Sequence, residues 1–122
     1  MHRPMKSKRT GLDRIRAAAG NSWRGLQACW RSEAAFRQET VLALLLLAVA
    51  ALLPLSGVER ALMMACVVLV LIVELLNSGI EAAIDRIGPE HHPLSGLAKD
   101  VASAAVSLSL LLVVVVWSCI LL

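Results

Sequence analysis

Three long, largely apolar segments dominate this chain of 122 residues. They cover about residues 34–53, 58–87 and 98–122, and each is close to or above the ~20 residues that a helix needs to cross a ~30 Å hydrocarbon core. Hydrophobic residues make up 58% of the sequence, against roughly 45–50% in a globular protein. A soluble domain of this size could not bury so much apolar surface, so we predict an all-α membrane protein with three transmembrane helices.

The segment before the first apolar run has a different pattern. Residues 1–10 are charged and contain proline, which predicts a disordered basic tail. Residues 11–32 carry apolar side chains at steps of three and four, as an amphipathic helix does. The apolar positions are Leu12, Ile15, Ala19, Trp23, Leu26 and Trp30, and the polar positions that fall away from them are Arg16, Arg24, Gln27 and Arg31. Because the chain offers no soluble core for such a helix, we predict that it lies on the membrane surface and that residues 11–122 form one membrane domain.

The basic residues are distributed unevenly. Nine of the twelve Lys and Arg residues lie between Arg3 and Arg37, Arg86 and Lys99 flank the second loop, and the first loop offers only Arg60. By the positive-inside rule, the N-terminus and the second loop are predicted to be cytoplasmic, and the first loop and the C-terminus periplasmic. Aromatic residues make up only 3% of the chain, so a stacking platform for nucleic acids is not expected, and no nucleic-acid partner is predicted.

Motifs for binding metals or nucleotides are weak or absent. Cys29, Cys66 and Cys119 are far apart and odd in number, so we expect small buried apolar residues rather than disulfides or a metal cluster. His91 and His92 suit solvated loop residues best, then nucleotide contacts, and least of all a zinc site. The sequence contains neither a P-loop motif nor a protein-kinase glycine-rich loop, so any use of a nucleotide would require an unrelated design.

The second apolar segment carries a stripe of polar residues that a membrane helix does not need. Glu74, Asn77, Ser78, Glu81 and Asp85 are spaced i, i+3, i+4, i+7 and i+11, which puts them on one helical face. Carboxylates at membrane depth are costly unless they are paired or solvated, so they indicate a functional site. The alternative, a span that ends before this stripe, would leave residues 61–73, which are too few to cross a bilayer.

Three helices cannot enclose such a stripe well, and this favours self-association. Other copies of the chain could cover the polar face and pack through small residues, which let membrane helices approach closely. The small residues at the start of the third span are Ala102, Ser103, Ala104 and Ala105. We therefore expect an oligomer.

Four stretches of the chain, taken together, resemble the bacterial diacylglycerol kinase family. They are AAGNSWRGL (18–26), EAAFRQE (33–39), VELLNSGIEAAIDRIG (73–88) and LSGLAKDVASAAV (94–106), in the family's order and spacing. The likeness covers about residues 11–120. It implies a homotrimeric kinase of the bacterial inner membrane, with a surface helix and three spans, that serves lipid recycling. Such an enzyme transfers the γ-phosphoryl group of MgATP to diacylglycerol and yields phosphatidic acid.

The resemblance also implies roles for individual residues, carried over by matching position. Glu74 would be the general base on the lipid hydroxyl, held by Asn77, and Glu33 and Glu81 would hold Mg²⁺. The residues implied in ATP binding are Arg14, Asn21, Glu33, Glu81, Glu90, His92, Lys99 and Asp100. Those implied along the path of the lipid are Ala18, Trp23, Ala35, Arg37, Glu39, Arg60, Glu74 and Ser103. In this family the site is shared between neighbouring subunits.

The chain departs from the family's pattern at some positions, and two other functions stay open. Asn21 stands where an aromatic residue is expected, and Leu97 where a basic residue is common. An undecaprenol kinase is the alternative within the same class, because one sequence does not specify which lipid accepts the phosphate. A small proton-coupled exporter is the alternative from another class. Such exporters also use an intramembrane Glu, but they have four spans with that Glu in the first. This chain has three predicted spans, with Glu74 in the second.

Overall fold

The structure, a computed structural model, describes residues 10–88 and 92–122, and these residues form four helices. They are α1 (Gly11–Ser32), α2 (Ala34–Leu52), α3 (Gly57–Ile87) and α4 (Pro93–Leu121). The last three are long and apolar enough to cross a membrane, which confirms the prediction of an all-α chain with three helices of spanning length. Most of the predicted basic tail, residues 1–9, lies outside the described part of the chain.

The junction between α1 and α2 is a single extended residue, Glu33, with φ −126° and ψ 110°. Arg37, in the first turn of α2, donates from Nη1 to the carbonyl oxygens of Trp30 (2.6 Å) and Arg31 (3.2 Å). Both carbonyls belong to the last turn of α1, where helix carbonyls have no partner within their own helix. Arg37 therefore ties the end of α1 to the start of α2.

The turn between α2 and α3 ends in a capping box at the start of α3. Ser56 Oγ accepts a hydrogen bond from the Glu59 backbone N–H (3.2 Å), and Glu59 Oε1 accepts one from the Ser56 backbone N–H (2.9 Å). These two bonds satisfy backbone donors that the first turn of a helix otherwise leaves unpaired. The start of α3 is thus determined locally, by a Ser and a Glu three residues apart.

Arg60 closes the same turn by binding the end of α2. Its Nη1 donates to the carbonyl oxygens of Ala50 and Ala51, both at 2.7 Å, and its Nη2 donates to Leu55 O at 3.2 Å. The resemblance implies a place for Arg60 along the lipid's path. In the described residues, however, every hydrogen bond of the guanidinium goes to backbone oxygens of this turn.

We expect Arg60→Ala to lower the free energy of unfolding by about 1–3 kcal/mol, because helix-end carbonyls lose charge-assisted hydrogen bonds. Equilibrium unfolding of the purified protein in mild detergent measures this change. Arg86→Ala is the matched control, because Arg86 is exposed near the other end of α3. Equal losses of stability in the two variants would contradict the capping role of Arg60.

The fourth helix begins earlier than the predicted third span. The span is predicted from about residue 98, whereas α4 starts at Pro93. Pro93 occupies the first helical turn, where its missing N–H costs nothing, and His92 Nδ1 caps the helix by accepting from the Leu94 backbone N–H (3.1 Å). The additional turn contains Pro93 and Gly96, which favour a loop, but it is helical because its cap is in place.

The central helix of the fold is α3, which packs against both α2 and α4. A buried core forms where Ala43 of α2 meets Cys66 and Val67 of α3. Trp117 of α4 packs against this cluster and donates from Nε1 to the carbonyl oxygen of Met63 (3.2 Å). This core is small, and many large apolar side chains face outward. Such an outer surface suits a chain that is surrounded by lipid or by other helices rather than by water.

The predicted burial of the cysteines is correct for one of the three. Cys66 is buried and its Sγ donates to Met63 O at 3.1 Å. Cys29 is half-buried and Cys119 is exposed. In a helix whose outer face meets lipid, a small apolar side chain loses little by facing outward, so an apolar neighbourhood in sequence did not imply burial.

Candidate active site

The polar stripe of α3 begins with a buried carboxyl group. Glu74 is 6% exposed and is the only buried charged side chain among the residues that the structure describes. Exposure rises along the stripe, because Asn77, Ser78 and Glu81 are half-buried and Asp85 is exposed. A single chain therefore covers Glu74, contrary to the expectation that three helices enclose the stripe poorly, but it leaves the rest of the stripe partly or fully exposed.

Three other carboxyl groups lie close to Glu74. The Glu39 side chain of α2 faces it directly, and Glu33 and Glu81 lie within range of its charge. These groups come from the α1–α2 junction, from α2 and from α3, so the junction at Glu33 helps to bring them together. Like charges this close repel each other unless a cation or a proton is bound. The arrangement is typical of a functional site rather than of a structural core.

Three buried polar atoms in this region have no hydrogen-bond partner in the described part of the chain. They are Glu39 Oε2, Asn77 Oδ1 and Ser78 Oγ. Asn77 donates from Nδ2 to Glu81 Oε1 at 3.3 Å, so its hydrogen bond goes to Glu81 and not to Glu74, which the resemblance implies as its partner. A buried polar atom without a partner costs about 1–3 kcal/mol. Three of them together indicate a site that receives a polar ligand.

Cys29 is a neighbour of this site that the sequence reasoning missed. Its side chain lies beside Ser78 and Glu33, and burial raises the pKa of the Cys29 thiol above its usual value. The thiol is therefore protonated at neutral pH. No pattern in the sequence predicts this contact, because Glu33 lies in the extended junction after α1 and Ser78 lies on α3.

The residues implied in ATP binding lie mostly at the exposed edge of the site. Lys99 Nζ forms an ion pair with Asp85 Oδ1 at 2.9 Å, which joins α4 to the outer end of the stripe. His92 is also exposed, although one of its ring nitrogens caps α4. Asp100 is exposed as well, and in the described residues it makes no hydrogen bond or ion pair with the carboxylate cluster.

Two more of these residues lie on α1, and a third is not among the residues that the structure describes. Arg14 and Asn21 are exposed, and Asn21 Oδ1 accepts a hydrogen bond from Arg24. Within the described ranges, neither forms a hydrogen bond or an ion pair with the carboxylates around Glu74. Glu90 lies outside the described residues. The single chain therefore brings Glu33 and Glu81 to Glu74 but leaves most of the other implied ATP contacts apart.

An apolar cavity of about 450 Å³ opens between α1, α2 and α3. Trp23, which the resemblance implies along the lipid's path, is in its wall, and so are Leu71 and Leu75. These two leucines lie on either side of Glu74 in the sequence, so the cavity reaches the neighbourhood of the buried carboxyl group. A cavity of this size and lining suits one acyl chain.

The remaining residues implied along the lipid's path are spread over the fold. Ala18, Ala35 and Ser103 are exposed, and Arg37 is engaged at the end of α1. Arg60 lies near the opposite end of α3, about 20 Å from Glu74 along the helix axis at 1.5 Å per residue. The structure thus places Glu39 beside Glu74 and Trp23 in the wall of the apolar cavity, and it keeps Arg60 far from Glu74.

The donor set can be tested against the implied Mg²⁺. The described residues contain no ready-made group of three or more His, Cys, Asp or Glu side chains that could hold a metal ion. Mg²⁺ in phosphoryl-transfer sites, however, is usually held by one or two carboxylates together with phosphate oxygens and water. Glu33 and Glu81 supply two carboxylates, and the unpartnered Asn77 Oδ1 is a further hard oxygen. These residues fit an Mg²⁺ ion that arrives with a nucleotide.

Comparisons with known proteins identify the family of the whole chain. The model of the family described as "Prokaryotic diacylglycerol kinase" matches residues 20–121. The diacylglycerol kinase of Escherichia coli K12 is 52% identical over 97% of this chain and 96% of its own length. That of Pseudomonas aeruginosa is 53% identical over 98% and 96%, and that of Helicobacter pylori 26695 is 40% identical over 93% and 88%. The resemblance seen in the sequence is thereby confirmed, and the chain belongs to the prokaryotic diacylglycerol kinase family.

Proposed function

We propose that this chain is an ATP-dependent diacylglycerol kinase of the bacterial inner membrane, which forms phosphatidic acid in lipid recycling and works as a homotrimer. The observation that carries the proposal is the buried Glu74 carboxyl group. It lies among other carboxylates, beside an apolar cavity, in a helix long enough to cross a membrane. Relatives named diacylglycerol kinase match nearly the whole chain, which supports the same activity here.

The reaction requires one base and a well-placed acceptor. Glu74 removes the proton of the lipid hydroxyl as its oxygen attacks the γ-phosphorus of ATP, and the bond from that phosphorus to the bridging oxygen of ADP breaks. Phosphoryl transfer needs positioning and charge neutralisation rather than covalent catalysis. The apolar cavity orients the lipid chain, and burial around Glu74 keeps bulk water away from the transfer.

The metal side of the site is assigned to Glu33 and Glu81, with Asn77 in support. Asn77 donates to Glu81 and so orients that carboxylate, while its own oxygen stays available for a ligand. When bound, Mg²⁺ neutralises charge that develops on the phosphate oxygens. Cys29 of α1 lies beside Glu33 and Ser78 and so borders the metal side of the proposed site.

Lys99 is the cation proposed to meet the phosphates. Its partner in the structure, Asp85, forms an exposed ion pair with it, with side-chain exposures of 43% for Lys99 and 69% for Asp85. Exposed pairs contribute only about 0–1 kcal/mol, so Lys99 can exchange Asp85 for a phosphate group at little cost. The pair keeps the Lys99 ammonium group near the end of the stripe until the nucleotide binds.

The proposed placement in the membrane follows from charge and exposure. Trp23 and Trp30 of α1 are 63% and 44% exposed, as expected of a surface helix whose indole rings lie at the lipid interface. The basic N-terminal segment and the Lys99 end of α4 are assigned to the cytoplasm, where ATP is found. The turn at Arg60 and the C-terminus then face the periplasm.

The proposed trimer is supported by what a single chain leaves uncovered. Ala102 is already buried against its own chain, but Ser103, Ala104 and Ala105 are exposed. Small residues of this kind let neighbouring membrane helices pack closely. Asp85 and Asp100 are also exposed, and a neighbouring subunit would cover polar groups that one chain leaves open.

The decisive experiment is an acceptor assay. The purified protein is incubated with MgATP in mixed micelles that contain either diacylglycerol or undecaprenol, and phosphate transfer to each lipid is measured. We expect fast phosphorylation of diacylglycerol and slow phosphorylation of undecaprenol. The reverse preference would identify an undecaprenol kinase, and transfer to neither lipid would overturn the proposed function.

We expect Glu33→Ala and Glu81→Ala each to raise the Mg²⁺ concentration needed for half-maximal activity, by about tenfold or more, since loss of one of two carboxylate ligands weakens a metal site strongly. Rates at saturating ATP over a series of Mg²⁺ concentrations measure this requirement. Asp13→Ala is the matched control, because Asp13 is an exposed carboxylate of α1 whose side chain faces solvent. Unchanged metal dependence in both test variants would remove the two residues from the metal site.

A further inference from the structure

One cation borders the apolar cavity described above and has no role in the mechanism. Besides Trp23, the wall of that cavity includes Trp30, Gln27 and Arg31 of α1. The guanidinium of Arg31 makes no hydrogen bond or ion pair within residues 10–88 and 92–122, and its side chain is exposed. The cavity therefore combines an apolar interior with an unpaired positive charge at its rim.

This combination selects a particular kind of ligand. An apolar cavity by itself would suit any acyl chain, and an arginine by itself would suit any anion. A guanidinium binds phosphate oxygens in a fork of two hydrogen bonds, and tryptophans at its side are typical of the membrane interface, where headgroups lie. The ligand that we match to it is a lipid with an anionic phosphate headgroup, because its acyl chain suits the cavity and its phosphate oxygens suit the guanidinium of Arg31.

The position of the cavity narrows this choice to one lipid. Leu71 and Leu75 line it on the α3 side, three residues before and one residue after Glu74 in the sequence. A lipid that has just been phosphorylated at Glu74 can keep its chain in the cavity while its headgroup moves toward Arg31. A phosphomonoester carries about −1.5 to −2 charges at neutral pH, whereas the phosphodiester of an ordinary anionic phospholipid carries about one, so the product is the better match for the guanidinium.

We propose that the cavity between α1, α2 and α3, with Arg31 at its rim, is a binding site for phosphatidic acid that retains the reaction product beside the active site. The identity of the lipid as a product rests on the proposed function, but its binding to this site does not require turnover. Arg31 is thus a residue for product binding and not a catalytic residue. When phosphatidic acid occupies the cavity, it delays entry of the next diacylglycerol and makes the enzyme sensitive to the phosphatidic acid content of the membrane.

The test uses the tryptophans of the cavity as reporters. The full-length protein is placed in phosphatidylcholine nanodiscs that contain rising fractions of phosphatidic acid with brominated acyl chains, without nucleotide, and quenching of tryptophan fluorescence is measured. We expect saturable quenching that is lost in the double variant Trp23→Phe, Trp30→Phe, in which only Trp117 remains. Arg31→Gln should raise the half-saturating fraction of phosphatidic acid about fivefold, the equivalent of about 1 kcal/mol per basic residue near an anionic lipid.

Two controls separate this site from general attraction to a charged membrane. Arg24→Gln removes one positive charge from the same helix, but Arg24 does not line the cavity, so its half-saturating fraction should change less than twofold. Equal effects of Arg24→Gln and Arg31→Gln would overturn the proposal. Brominated phosphatidylglycerol provides the second control, and quenching at the same low fractions as with phosphatidic acid would overturn the assignment to a phosphomonoester.

A kinetic experiment distinguishes failure of this proposal from failure of the proposed function. Initial rates of diacylglycerol phosphorylation are measured with increasing unbrominated phosphatidic acid in the micelles. We expect inhibition in the unmodified protein and about fivefold more phosphatidic acid for half-inhibition in Arg31→Gln. A protein without kinase activity but with Arg31-dependent quenching would contradict the function and support the site. An active kinase with unchanged quenching in Arg31→Gln would support the function and contradict the site.

Discussion

Replacing Glu74 by glutamine is expected to lower the rate of diacylglycerol phosphorylation about 10²–10⁴-fold, the usual cost of losing a general base. Glutamine has nearly the same shape as glutamate, and it relieves the repulsion of Glu74 with Glu39. The variant should therefore fold at least as well as the unmodified protein. The measurements are phosphate transfer from MgATP to diacylglycerol in micelles, and circular dichroism for helical content.

The matched control makes the same chemical change elsewhere in α3. Glu59→Gln lies at the other end of the helix, and glutamine retains the ability to complete the capping box with Ser56, so its activity should stay close to that of the unmodified protein. A Glu74→Gln variant that turned over at a similar rate would show that another group takes the proton. The unpartnered Glu39 would then be the next candidate, since its carboxyl group faces Glu74 directly.

Mixing two inactive variants is expected to restore activity if neighbouring subunits share the site. Glu74→Gln removes the base, and Asp100→Asn alters an exposed carboxylate that makes no hydrogen bond or ion pair with the cluster in its own described chain. In a ring of three, every mixed trimer has one junction where the intact Glu74 of one subunit meets the intact Asp100 of the next. Equal mixing should then restore about a quarter of the normal rate.

A second mixture serves as the negative control for this experiment. Within one chain, Glu33 already lies close to Glu74, so subunits with Glu33→Ala and subunits with Glu74→Gln each carry a defect in the same intrachain cluster. At a Mg²⁺ concentration too low for activity of the Glu33→Ala variant alone, this mixture should stay inactive. Rescue in neither mixture would mean that each chain has a self-contained site, and rescue in both would mean that the cluster itself is assembled between subunits.

Much of the architecture could be predicted from local patterns. Segment length and hydropathy predict α2, α3 and α4 because the bilayer sets the length of a crossing helix. The steps of three and four between Leu12 and Trp30 predict α1, and the spacing from Glu74 to Asp85 predicts a single polar face. Such features depend on near neighbours in the sequence, so they can be read before any tertiary contact is known.

Only the tertiary structure decided which groups meet. It placed Glu39 against Glu74, directed Asn77 to Glu81 rather than to Glu74, and used Arg60 to close a turn far from the site. It also placed Arg31 at the rim of a cavity, without a side-chain partner among the described residues. The physical reason is that contacts between helices depend on how each helix is rotated and where the chain turns. Hydropathy and periodicity specify that a helix exists and which face is polar, but not which side chain of another helix that face will meet.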